Sequence, residues 1–321
     1  MLLDAKIYLK ILFSIFALML SSAVAYAYYF GKHYPLPFTN RISLDAKIQF
    51  IRNHIDTDNI DTIVVGSSIG LNNVRGEYLE KYSSSCKHVL NLSVFEASPI
   101  QVEQLLELID VFPKLKRIIY SAQFSDFQHL STFKNYNSEI IKKYISHQLN
   151  PIQEAKFIFK ISKNLPFLVN RQKIWKEKYG KNNTFSYLGF DHTGSAPLHI
   201  YGKDIVRHRW VNPHGSKHLK KAFDALGRMS KKAHARGVKF YLVQQPYRQA
   251  LIKKYPHVPT EANWFFNYAH KVVIKNNGYS LSLYRELALS DDYFADRSHL
   301  NDKGSILSAE AIGKFIDMNE K

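Results

Sequence analysis

Two short segments at opposite ends of the chain carry residue types able to do acyl chemistry. Asp61-Thr-Ile-Val-Val-Gly-Ser-Ser-Ile-Gly70 closes an apolar run with Gly-x-Ser-x-Gly, and Phe294-Ala-Asp-Arg-Ser-His-Leu-Asn301 holds an acid three positions before a histidine. A serine hydroxyl attacks a carbonyl when a base within hydrogen-bond reach takes its proton and an acceptor orients that base. Ser68, His299 and Asp296 are of those three types. A turn between Asp296 and His299 can bring the carboxylate onto one imidazole nitrogen and leave the other for Ser68. Each segment also has a plainer reading: a tight turn for the first, and helix capping by Asn301 or Asp302 with His299 exposed for the second.

For these ends to meet, the chain between them must be a regular sheet that gathers its strand ends on one rim. Thr62 to Val65 is a β-branched run bounded by Asp61 and Gly66, which suits a buried parallel strand. His88 to Val94 predicts a second strand and Lys116 to Ser121 a third. Between them Ser98-Pro-Ile-Gln101 has the signature of a capped helix start, and Val102, Leu105, Leu106 and Ile109 follow at helical spacing. Strand, helix and strand in so short a span form a βαβ unit, which demands parallel pairing. The rhythm resumes with a helix from Ser216 to Arg236, a strand from Val238 to Val243, and a helix from Glu261 to Asn276. A short strand from Tyr279 to Leu283 and a closing helix from Asp302 to Asp317 complete it. The expected fold is α/β, a doubly wound parallel sheet of about five strands. In such sheets ligands bind beyond the carboxyl ends of the strands. Both Ser68 and the Asp296 to His299 segment follow predicted strands.

Residues 1–31 form a candidate membrane segment, because positions 11–30 hold twenty consecutive uncharged residues, preceded by Lys6 and Lys10. A helix of that length spans a bilayer core of about 30 Å. An uncleaved signal-anchor is expected, with the rest of the chain extracytoplasmic, either periplasmic or at the cell surface. Cleavage after an Ala23-Val-Ala25 type site, giving a secreted protein, is the other reading. Residues 32–57 read as a tether and first helix, with Leu44, Ile48, Ile51 and Ile55 on one face, and 58–321 as the α/β domain. Within it, 127–215 loses the strand-helix rhythm and predicts a helical insertion. The net charge of +17 is compatible with an anionic partner such as phospholipid headgroups, an acidic polysaccharide or nucleic acid, but a solvated basic surface is the preferred reading. Its lysines are scattered in pairs with no nucleic-acid-binding motif, so no nucleic-acid partner is expected. The single cysteine, Cys86, excludes an intrachain disulfide and a multi-cysteine zinc site, and reads as a small inert residue.

The early Gly66-Ser-Ser68, the Asn91-Leu-Ser93 that precedes a helix, and Asp296-Arg-Ser-His299 together resemble the SGNH (GDSL-like) hydrolases, notably a membrane-anchored branch with a Gly-Ser-Ser first block. The similarity covers roughly 58 to 126 and 216 to 318. It implies a flavodoxin-like sheet and a serine esterase or O-acyltransferase without cofactor or metal, with Ser68 as nucleophile, His299 as base and Asp296 as its orienting acid. The implied substrate is an acylated envelope polysaccharide or lipid, and water or a sugar hydroxyl would accept the acyl group. The family's oxyanion donors are altered: Glu96 stands about where a glycine is expected, and Ser121-Ala-Gln-Phe-Ser-Asp126 lacks the Asn-Asp signature. Gln123 or Ser125 would have to supply the side-chain donor, and the position 96 N–H the backbone one. A relative that only binds glycan or scaffolds envelope-assembly partners is the alternative. Other polar groups have plain readings. His214 and His218 suit a solvated helix start, Asp191-His192 lacks further metal ligands, and Trp175, Trp210 and Trp264 suit packing.

Overall fold

The computed structural model describes residues 5–179, 187–205 and 219–320; His214, His218 and Trp210 lie outside them. Five strands form one parallel sheet: β1 (Thr62–Gly66), β2 (Val89–Asn91), β3 (Arg117–Ala122), β4 (Lys239–Gln244) and β5 (Tyr279–Ser282), in the order β2-β1-β3-β4-β5. This is the doubly wound, flavodoxin-like order, whose switch point lies between β1 and β3. Successive residues of each strand face opposite layers. Ile63, Val65, Ile118, Tyr120, Phe240 and Leu242 join the larger core, while Val64, Ile119, Tyr241 and Val243 join the smaller. Burial on both faces explains why the strands read as unbroken apolar runs.

The helix Pro99–Leu105 starts as its sequence implies. Ser98 accepts from the Gln101 N–H, the Gln101 side chain accepts from the Ser98 N–H, and Pro99 takes the first turn. The closing helix spans Asp302–Glu320. It is capped by Asn301, whose Oδ1 accepts from the Gly304 N–H at 3.2 Å. Helix Ile42–His54 is packed into the main core through Leu44, Ile48 and Ile51. Its Lys47 is fully buried, with the amine donating to the carbonyls of Asn91 (2.7 Å) and Gly194 and lying 3.8 Å from the Phe190 ring centre. Burial brings the Lys47 pKa down to about 7 against the opposing pull of Asp191.

Between β3 and β4 the chain forms the helices Ser138–Ile145 and Pro151–Tyr179. At the other end, Ala5–His33 is one helix, apolar and long enough to cross a membrane, and its most apolar window has nothing buried inside the protein. Cys86 is buried in the smaller core.

Candidate active site

β1 ends at the switch point, and the turn that follows is set by close approach. A Cβ on Gly66 would stand 2.4 Å from the Ser121 carbonyl oxygen of β3, and one on Gly70 would stand 2.5 Å from Ser93 Oγ. The two glycines therefore let the Ser68 turn sit flush against its neighbouring strands. Ser67 is the N-cap of the short helix Ser68–Asn73, its Oγ accepting from the Ile69 N–H at 3.1 Å. Ser68 thus opens a helix, with its own N–H at the electropositive end. Asn91, fully buried at the end of β2, holds that helix from below: its amide donates to Gly70 O (3.0 Å) and Val74 O (2.9 Å).

The segment 294–300 is closed at its base by an antiparallel bridge between Phe294 and Leu300, with Ala295 N–H donating to His299 O at 2.9 Å. At its tip Asp296 Oδ1 accepts from the backbone N–H groups of Ser298 and His299, each at 2.9 Å. Asp296 Oδ2 lies 2.8 Å from His299 Nδ1, and His299 Nε2 lies 2.8 Å from Ser68 Oγ. An ionised carboxylate only accepts, so Nδ1 carries the proton and Nε2 is left to accept from the serine hydroxyl. Burial would raise the Asp296 pKa, but His299 and the two backbone donors outweigh it and hold the carboxyl well below its usual range. Ser68, His299 and Asp296 are therefore brought together, in contact, from segments more than two hundred residues apart.

Asn73 bolts the two segments together. Its Nδ2 donates to Ser298 O at 3.2 Å and its Oδ1 accepts from the Leu300 N–H at 2.9 Å. Asp126 supports the Ser67-Ser68 turn from the other side. Its carboxylate accepts from the Gln123 N–H at 2.8 Å and from Ser67. Desolvation pushes its pKa up to about 6 against the lowering influence of those donors and of His299 and His129.

Ser68 and His299 open onto a cleft of about 890 Å³ that also takes in Glu96, Arg41, Arg171, Arg297 and Trp175. Glu96 has φ of 54°, a left-handed conformation in which glycine carries no Cβ penalty. Its carboxylate pairs with Arg41 at 2.8 Å. Gln123 and Ser125 fall elsewhere. They line a separate cavity of about 290 Å³ with Phe124 and Tyr247, reached across Arg297 and Ser298. The Gln123 amide donates to Pro246 O at 2.6 Å. Asp191 is a structural acid, its Oδ1 accepting from Thr193 N–H and Ser195 N–H at 2.9 Å each. Among the described residues no cluster of three metal-ligating side chains occurs.

Asn73, Asp126 and the three arginines were not singled out by sequence reasoning. The signal for Asn73 was available: an Asn-Asn pair one residue beyond Gly-x-Ser-x-Gly puts two amides in a short helix, and both are buried. The arginines converge only in three dimensions, from positions 41, 171 and 297.

No protein-family model matches the chain. No curated protein sequence matches it either. Among solved structures, the chain is similar to one described as "a putative lipolytic protein of G-D-S-L family from Desulfitobacterium hafniense DCB-2", with 12% identity, a TM-score of 0.40, and coverage of 80% of this chain and 99% of that one.

Proposed function

We propose that this protein is a membrane-anchored serine esterase or O-acyltransferase of the SGNH type. The observation that carries the reading is the unbroken relay from Ser68 through His299 to Asp296, with contacts of 2.8 Å at both joints. His299 Nε2 takes the Ser68 proton as Oγ attacks an ester carbonyl, and the Asp296 carboxylate stabilises the imidazolium that results. The tetrahedral adduct collapses to an acyl-Ser68 ester as His299 returns the proton to the departing alcohol. Water or a sugar hydroxyl then accepts the acyl group by the reverse relay. The Ser68 N–H supplies one oxyanion donor, and the N–H at position 96 is assigned as a second.

The helix Ala5–His33 is assigned as the anchor (residues 1–31), 32–57 as the segment that joins it to the domain, and 58–321 as the catalytic domain with insertion 127–215. The domain is placed outside the cytoplasm, as Lys6 and Lys10 before the span favour. Arg171 and Arg297 at the cleft, where Arg41 is already paired with Glu96, favour an acylated substrate with anionic groups, either an envelope glycan or a lipid.

The test is fluorophosphonate labelling of the full chain in detergent, together with release of acetate from acetylated glycans and model esters. Labelling is expected to require both Ser68 and His299, and to vanish in Ser68→Ala. Wild-type protein that neither labels nor turns over any ester, while still binding acidic glycan, would favour a non-catalytic binding protein. The Gln123 bond to Pro246 and the Glu96 carboxylate at the cleft are the features on that side.

A further inference from the structure

The insertion helix Pro151–Tyr179 has an outer face that a soluble helix would not expose. Ile158, Ile161, Leu168 and Trp175 point into the protein, yet Ile152, Phe159, Phe167 and Ile174 are 69%, 50%, 59% and 44% exposed. At about 100° per residue, these four and the intervening Lys156 and Lys163 fall within a sector of roughly 80°. Large apolar side chains interleaved with lysines long enough to reach outward describe a helix lying in a lipid headgroup layer.

The helix also touches the candidate anchor. The Phe159 ring stacks on Tyr26 with centroids 5.6 Å apart and planes 4° from parallel. Gly31 lies close enough that a Cβ there would meet Ile158 Cδ1 at 3.0 Å. Tyr26 to Phe30 is the aromatic end of the apolar span, the composition of a membrane–water boundary. The exposed face of this helix therefore meets, at Phe159, the level where the span would leave the hydrocarbon. Farther along the same helix, Phe167, Arg171, Ile174 and Trp175 wall the Ser68 cleft. The rise from Phe159 to Arg171 is about 18 Å.

We infer that helix Pro151–Tyr179 is an interfacial helix seated on an anionic bilayer, with Ile152, Phe159, Phe167 and Ile174 immersed at the boundary between headgroups and acyl chains. The occupant of this face is the lipid surface. Continuity with the anchor, the helix's own Lys156, Lys160, Lys163 and Lys173, and the net charge of +17 favour negatively charged headgroups. The cleft then opens at headgroup height, and its substrate is an acylated molecule presented at the membrane surface rather than one diffusing freely in bulk solution. This rests on the anchor and cleft assignments made above.

The experiment uses the full chain in nanodiscs containing phosphatidylglycerol, with a nitroxide spin label at one introduced cysteine at a time: Ile152→Cys, Phe167→Cys, Phe16→Cys in the span, and Lys220→Cys as the water reference. Cys86 is buried, and unsubstituted protein reports any labelling there. Collisions with oxygen should dominate over those with a soluble nickel chelate at positions 16, 152 and 167, with the order inverted at 220. Labels at 152 and 167 that behave like 220 while 16 remains lipid-exposed would overturn the interfacial helix alone. A label at 16 that behaves like 220 would overturn the anchor and the interfacial helix together. Fluorophosphonate labelling of Ser68 in the same discs reports the catalytic assignment separately.

Discussion

Replacing Asp296 by Asn probes the relay through hydrogen-bond direction alone. In the native protein Oδ1 accepts two backbone N–H groups, from Ser298 and His299, and Oδ2 receives the His299 Nδ1 proton. An asparagine keeps one acceptor oxygen, and the two fixed backbone donors hold that oxygen at the Oδ1 position. Its NH2 group must then face Nδ1. Imidazole responds by moving its proton to Nε2, which leaves no lone pair toward Ser68 Oγ at 2.8 Å. With geometry kept and the tautomer inverted, Asp296→Asn should lose about 10⁴-fold in kcat, equivalent to roughly 5.4 kcal/mol of barrier. The same carboxylate contributes pH-dependent stability. Its folded pKa is depressed, so the contribution is present above the ordinary carboxylate pKa and lost as pH falls through the depressed one. The variant should therefore lose part of the native stability at neutral pH and show a flatter stability profile in acid. The assay is burst and steady-state release of p-nitrophenol from a short-chain ester, alongside thermal melts at pH 3 to 7. A folded Asp296→Asn within tenfold of wild type would refute the tautomer argument.

Asn73→Ala removes both bonds that tie the helix Ser68–Asn73 to the His299 loop and leaves the Leu300 N–H buried without its partner. It should cost about 1–3 kcal/mol of stability and on the order of 10²-fold in kcat with little change in KM, read from steady-state kinetics and thermal melts. Gly70→Ala should cost about 1–3 kcal/mol by overpacking against Ser93 Oγ, and Ser93→Gly in the same chain should restore much of the loss in a double-mutant cycle. Asp126, with its pKa raised to about 6, keeps its proton longer in the folded than in the unfolded state, so native stability falls as pH rises from about 4 to 6. Asp126→Asn should flatten that fall and stabilise the protein at pH 8 by up to roughly 3 kcal/mol, measured as melting temperatures at pH 4, 6 and 8.

Much of the fold is local enough to be legible in one dimension. Runs such as Thr62 to Val65 are apolar because both sheet faces are covered, so their composition marks them as parallel strands wherever they pair. The cap at Ser98, Pro99 and Gln101 involves neighbours in sequence and forms as written. Ser68, Asp296 and His299 were also legible, because an acid three positions before a histidine can meet only through a short turn and the serine stands at a strand end. The oxyanion side was not. Gln123 lines a separate cavity and donates to the Pro246 carbonyl, a partner beyond the end of a different strand that its own sequence neighbourhood does not specify.

The sequence by itself determined the individual strands, the residue types at Ser68, Asp296 and His299 and a helix long enough for a membrane, since each rests on composition or on contacts between near neighbours. Only the tertiary structure decided the rest. It brought Asn73 onto Leu300, set Asp126 behind Ser67, and converged Arg41, Arg171 and Arg297 on one cleft. It also laid the exposed face of helix Pro151–Tyr179 alongside the apolar span. These are contacts between segments far apart in the chain, and no periodicity encodes them: they follow from how loops of different lengths pack once the parallel sheet has gathered its strand ends on one rim.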